Sequence, residues 1–165
     1  MSLPSWAVVT PERRAHIERV AALLSEWAAA MGVPDVERAR WLRAAWLHDA
    51  LRDEDGSDAL AHGARAAERA AKDGEQDQGV LDAVKYHSVG YARWDDAGRM
   101  LYLADFLEPA RALDPPGRAA LVARVPCERD AVLQEVARRR IEWVLRSGWE
   151  LTPATVAFWN SLVAR

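Results

Sequence analysis

The chain has 165 residues, half of them hydrophobic, with 22 Lys and Arg against 25 Asp and Glu for a formal net charge of −3. That length suits one ordinary domain, and the charge balance argues against affinity built on a basic nucleic-acid surface. No apolar run approaches the roughly 18 residues that a membrane-spanning helix needs. Met1 to Arg14 lack the basic patch and apolar stretch of a secretory signal, and Cys127 is the single cysteine, which excludes an internal disulfide and fits a reducing cytoplasm.

Every element the sequence predicts is a helix. Thr10-Pro11 reads as an N-cap with proline at the first helical position, and Gly32 as the stop. Between them Ile17, Val20, Leu24, Trp27 and Met31 recur at three- and four-residue steps, and His16 joins that face. Pro34-Asp35 opens a second helix running through Trp41, Ala45 and His48. Ser57 caps a third that ends at Gly74, and a fourth covers Gln78 to His87. Asp95-Asp96 cap a fifth ending at Pro109. After Pro115-Pro116-Gly117 come a short helix and a long one from about Glu128 to Ser147, and Thr152-Pro153 caps the last. Strand alternation and repeats are missing, so the expected class is an all-α helical bundle.

Four histidines and two acids carry the chemistry: His16, His48, His62 and His87, with Asp49 and Asp105. A lone histidine on an apolar face is usually ordinary packing. Asp105, however, lies inside Met100-Leu101-Tyr102-Leu103-Ala104-Asp105-Phe106-Leu107, where an unpaired carboxylate would cost several kcal/mol to bury. His48-Asp49 has the same problem between Trp46-Leu47 and Ala50-Leu51. A shared metal cluster resolves it, and imidazole plus carboxylate donors suit Fe, Mn, Zn or Co rather than Ca.

The order His16 … His48-Asp49 … Asp105 resembles the metal-binding signature of the HD superfamily of phosphohydrolases. More narrowly, Leu47-His48-Asp49-Ala50-Leu51-Arg52, Ala61-His62-Gly63-Ala64, Tyr86-His87-Ser88-Val89-Gly90 and the block from Leu103 to Arg111 resemble the bacterial YqeK type, the symmetrical diadenosine tetraphosphate hydrolases. The resemblance implies a single HD domain over residues 10–165 after an N-terminal extension of residues 1–9. It implies two divalent ions, commonly iron: His16, His48, Asp49 and Asp105 on one, His62 and His87 on the other, and Asp49 bridging. Asp49, His62 and His87 are then the catalytic residues, and a hydroxide shared by the ions would attack the phosphoanhydride. It also implies Arg13, Arg52 and Arg111 as substrate-binding positions, with Arg52 standing where the family usually has lysine.

The partner implied is a small nucleotide, with neither nucleic acid nor membrane, in the cytoplasm, and a homodimer is compatible with the resemblance. Only thirteen residues separate His48 from His62. The family's segment is expected to be longer, so a more open metal site is predicted, with another nucleotide as the alternative substrate and a non-catalytic nucleotide-binding module as a further one. Trp27, Trp41, Trp46 and Trp143 fall on apolar stripes and read as core, and Tyr91 and Trp94 read as packing rather than as a base platform. Arg138-Arg139-Arg140, near Glu135 and Glu142, read as a solvated, ion-paired face.

Overall fold

The computed structural model describes residues 1–54, 58–111 and 114–164. Among these it contains seven helices and no strand: α1 (Pro11–Ala30), α2 (Asp35–Leu47), α3 (His62–Lys72), α4 (Gln78–Tyr86), α5 (Asp96–Leu107), α6 (Pro115–Arg146) and α7 (Pro153–Val163). The all-α expectation is met. No helix of the described residues is long and apolar enough to cross a membrane.

Helix α5 is the central element. Met100, Leu101, Tyr102, Leu103, Ala104 and Leu107 are all withdrawn from solvent, and α1, α2, α4 and α6 pack around them. A helix apolar on all sides belongs in the middle of a bundle. The outer helices each turn one stripe inward: Ile17, Val20, Leu24 and Trp27 on α1, Trp41, Ala44 and Ala45 on α2, and Val132, Leu133, Val136 and Ala137 on α6. α3 covers α4, and α7 lies against α6.

Most predicted ends hold within a residue or two. Thr10 caps α1 by accepting from the Arg13 amide at 3.2 Å, and Thr152 caps α7 by accepting from Thr155. The predicted cap at Ser57 lies outside the described residues, and α3 begins only at His62, after a turn through Ala61. The two helices expected after Pro115 form one, kinked at Glu128 (φ −132°, ψ 33°). Pro126 causes the break, because proline cannot donate to the carbonyl four residues back. That carbonyl, on Val122, accepts instead from the Trp27 indole at 3.2 Å, so the kink locks α6 onto α1.

One ion network ties three helices together. Arg40 on α2 donates from Nε to Asp77 Oδ2 at 2.7 Å and from Nη2 to Oδ1 at 3.0 Å, and it also pairs with Glu37 and Asp95. Asp77 and Asp95 are the N-caps of α4 and α5, so one guanidinium holds two capping carboxylates where helix dipoles favour negative charge. The Arg40 hydrogen bonds hold the Asp77 carboxyl down at about 2, against the opposing effect of burial. A depressed folded-state pKa stabilises above the unfolded value, and that contribution disappears as pH falls toward 2. Asp77→Ala should therefore cost about 1–2 kcal/mol near neutrality and progressively less below pH ~4. Thermal melts of both proteins across that range check this; an equal gap at every pH would contradict it.

Candidate metal centre

The six sequence-predicted residues meet at one end of the bundle core. His16 comes from α1, His48 caps the C-terminus of α2, Asp49 follows in the turn, His62 opens α3, His87 caps the end of α4, and Asp105 lies on α5. All six are buried. The short His48-to-His62 segment does not leave them open, contrary to the expectation drawn from its length. Arg13 lies over Asp49, with Nη1 2.8 Å from Oδ2, and Arg111 and Arg140 close over Asp105.

The ring orientations are fixed from behind. His48 Nδ1 donates to the Ala45 carbonyl at 2.7 Å, and His87 Nδ1 to the Val84 carbonyl at 2.8 Å. Each therefore turns an Nε2 lone pair inward. His62 Nε2 lies 3.0 Å from Asp49 Oδ1 and 3.1 Å from His87 Nε2. The rings of His48 and His87, and of His62 and His87, stand 4.9 Å apart edge to face. His16 Nδ1 faces Glu108 at 3.3 Å and its Nε2 faces Asp105 at 3.2 Å.

Two sets of donor atoms could each hold a cation, with every atom of a set within 4.8 Å of the others: His16, His48 and Asp49, and Asp49, His62 and His87. Asp49 belongs to both. Asp105 falls in neither set but touches the first through His16. Among the described residues the buried Nε2 of His48 has no hydrogen-bond partner, and the buried Nε2 of His16 has only the Asp105 carboxylate, outside good hydrogen-bond geometry, which buried polar atoms rarely tolerate. Donor chemistry, sharing and unmet nitrogens all fit divalent metal ions.

The titration behaviour differs between the two histidines of the first set. Burial, helped by the neighbouring His87 and His16 and opposed by Asp49 and Asp105, pushes His48 down to about 4, leaving it neutral, as a ligand must be. Burial works against charge on His16, yet the facing Asp105 and Glu108 carboxylates outweigh it and raise that imidazole to about 9. Burial likewise opposes ionisation of Asp105, but the His16 contact and the Arg140 and Arg111 charges hold it well below the usual carboxylate range. Asp49 is also held low by the histidines around it, again against burial.

The three predicted substrate arginines are placed differently. Arg13 and Arg111 contact cluster carboxylates, and Arg111 Nη2 reaches Asp105 Oδ1 at 2.7 Å rather than pairing with Glu108. Arg52 continues the turn, its amide donating to the Asp49 carbonyl at 3.0 Å, and its side chain makes no ion pair with a described residue. Of the aromatic readings, Trp94 is core, and Tyr91 stacks on Tyr86 at 4.3 Å.

Two functional neighbours escaped the sequence reading. Glu108 is 3 % exposed and joins His16 Nδ1 to Arg19, whose Nε lies 2.7 Å away. It orients the imidazole from outside the cluster. Arg140, read as part of a solvated face, is instead 17 % exposed, with Nη2 2.8 Å from Asp105 Oδ2 and its guanidinium over the Tyr102 ring at 4.3 Å. Its spacing from Leu133 and Val136 puts it on the buried stripe of α6, a usable signal. Arg138 and Arg139 do form the expected ion pairs, with Glu135 and with Glu142 or Asp114. Trp143, expected in the core, is 51 % exposed.

A family model described as the HD domain matches residues 13–123. The chain belongs to the HD-domain family. All six cluster residues fall within that match, whereas Arg140 lies beyond it. The chain is 28% identical over 91 residues, 55% of its length, to the symmetrical bis(5'-nucleosyl)-tetraphosphatase of Bacillus subtilis (strain 168). It is 24% identical over 90 residues, 54% of its length, to the protein of that name from Halalkalibacterium halodurans. These matches span 48% and 47% of the two proteins, so the chain matches about half the length of its curated relatives. Its fold is similar to the crystal structure of a predicted HD superfamily hydrolase involved in NAD metabolism from Clostridium acetobutylicum: TM-score 0.78, 20% identity, covering 95% of this chain and 92% of that one.

The approach of α3 to α4 that brings His62 to His87 depends on Gly63. A Cβ there would sit 2.7 Å from the Val84 carbonyl oxygen and 3.2 Å from His87 Cε1. Alanine would normally favour a helix by about 0.5–1 kcal/mol. Here backbone cannot move aside, so Gly63→Ala should destabilise by about 1–3 kcal/mol through overpacking. A melting temperature equal to or above that of the parent would contradict this placement.

Proposed function

We propose that this HD-domain chain is a metal-dependent phosphohydrolase that cuts a nucleotide phosphoanhydride, with diadenosine tetraphosphate cleaved symmetrically into two ADP as the reaction. The observation that carries the reading is the Asp49 carboxylate, buried and common to two compact donor sets. In this reading His16, His48, Asp49 and Asp105 hold one divalent ion, and Asp49, His62 and His87 the other, with iron as the favoured metal and Mn, Co or Zn as substitutes. When bound, such a pair supplies an acidified water and neutralises charge on the phosphoryl oxygens.

The chain's own side chains bind and orient. Arg13 and Arg111, already resting on the two cluster carboxylates, stand at the rim where phosphate oxygens arrive, and a guanidinium's planar fork suits them. Arg52, with no ion pair to a described residue, has its charge available for the same substrate. Glu108 and the Ala45 and Val84 carbonyls hold the imidazoles of His16, His48 and His87 in place. The printed names of the Bacillus subtilis and Halalkalibacterium halodurans relatives support the symmetrical cut. The second reading is hydrolysis of another nucleotide, a nucleoside monophosphate or a signalling nucleotide, at the same centre.

Chromatographic product analysis with diadenosine tetraphosphate, with and without Fe(II), Mn(II) or Co(II), separates these. ADP as the sole product, only with metal, is expected, and Asp49→Ala should lose metal and turnover together. ATP plus AMP would overturn the cleavage position. No turnover with any metal would overturn the substrate, and two metals retained in the Asp49 variant would overturn the bridging role.

A further inference from the structure

A groove of about 670 Å³ runs along α6 and is lined by Arg111 and Arg140, which both contact Asp105 of the candidate centre. Its size falls within the roughly 300–1,000 Å³ typical of small-molecule sites. Phe106 and Arg111 form its near end, Arg139 and Arg140 its flank, and Trp143 and Arg146 its far end. Six arginines and two carboxylates line it in all, a concentration of positive charge on a chain whose net charge is −3. Asp105 connects it to the cluster, because Arg111 holds one carboxylate oxygen and Arg140 the other. An anion reaching the cluster past Asp105 therefore continues directly onto guanidinium groups.

The far end has a different chemistry. Trp143 is half exposed, with Trp149 edge-on at 4.9 Å and itself 59 % exposed. Two adjoining exposed indoles form a contiguous apolar surface of the kind that marks a binding site, and arginine beside exposed tryptophan is the combination that binds phosphate and a stacked base together. A simple inorganic anion would have no use for the indole. Arg146, 82 % exposed and no nearer than 4.0 Å to Glu142, adds charge at the same place without a structural task.

We propose that this groove binds the second nucleoside of a dinucleoside polyphosphate, its base on Trp143 and its phosphates along Arg139, Arg140 and Arg111. The proposal rests on the hydrolase reading for the ligand class, but it concerns binding and is tested without turnover. It gives the α6 arginines and the exposed tryptophan a common purpose, and it makes the chain selective for substrates with a nucleoside at both ends.

The test uses the metal-loaded full chain and a diadenosine tetraphosphate whose central bridging oxygen is replaced by methylene. The comparison ligand is the one-nucleoside tetraphosphate with the same methylene. Calorimetric titration should show the two-nucleoside ligand binding about tenfold or more tightly, as expected for one stacked base. Trp143→Ala should remove most of that preference while leaving the affinity for the one-nucleoside ligand, and Trp143→Phe should restore it. Should the alanine variant not fold, by its helical circular dichroism, Arg146→Glu provides the reading: it should weaken the two-nucleoside ligand several-fold at low salt. Equal binding of both ligands by the parent, a preference that survives in Trp143→Ala, or unchanged affinity in Arg146→Glu each overturns the proposal. Absence of hydrolysis in the product assay would count against the reaction and leave this binding preference to stand or fall separately.

Discussion

Asp105 sits on a helix whose neighbours, from Met100 to Leu107, are nearly all withdrawn from water, and much of the structure around it answers that constraint. An isolated buried carboxylate costs several kcal/mol, and removing one partner of a buried charge pair is strongly destabilising. Three cationic or protonatable groups from three segments converge on it: His16 from α1, Arg111 beyond α5 and Arg140 from α6. Two of them are held in turn, His16 by Glu108 and Arg140 by the Tyr102 and Phe106 rings. The same convergence fixes where α1 and α6 lie relative to α5.

Asp49 follows the same logic on the other side of the cluster. Its carboxylate meets Arg13 and four histidines within 4 Å, and the loop carrying it is tied back through Asp53 to the cap residue Thr10. A buried site with more lone pairs than protons is high in energy by itself and is completed by cations. The fold thereby places the candidate metal centre where local stability and charge compensation come from the same residues.

Much of this was legible beforehand. Thr10-Pro11 and Thr152-Pro153 announced two helix starts because capping chemistry is local, and the apolar surroundings of Asp105 and of His48-Asp49 announced buried charge. The boundary expected at about Glu128 is where α6 bends, and the structure runs the two expected helices together across that kink. What escaped needed tertiary information. The spacing of Arg140 from Leu133 and Val136 marks it as inward, but its Asp105 partner on α5 is a tertiary contact; Trp143 sits at helical spacing from core positions but beyond the end of the elements that would cover it. Glu108 lies in the Leu103–Arg111 block, but nothing local to it reveals that His16 and Arg19 approach from α1.

We propose that the histidine–aspartate cluster is a two-ion site centred on Asp49. Calorimetric titration of the chelator-stripped full chain with Mn(II) near neutral pH, repeated in buffers of different ionisation enthalpy, tests it most directly. The account predicts two ions per chain, with protons released on binding because His16, raised to about 9, must give up its proton to act as a ligand. Binding of a single ion, binding without proton release, or no saturable binding would contradict it.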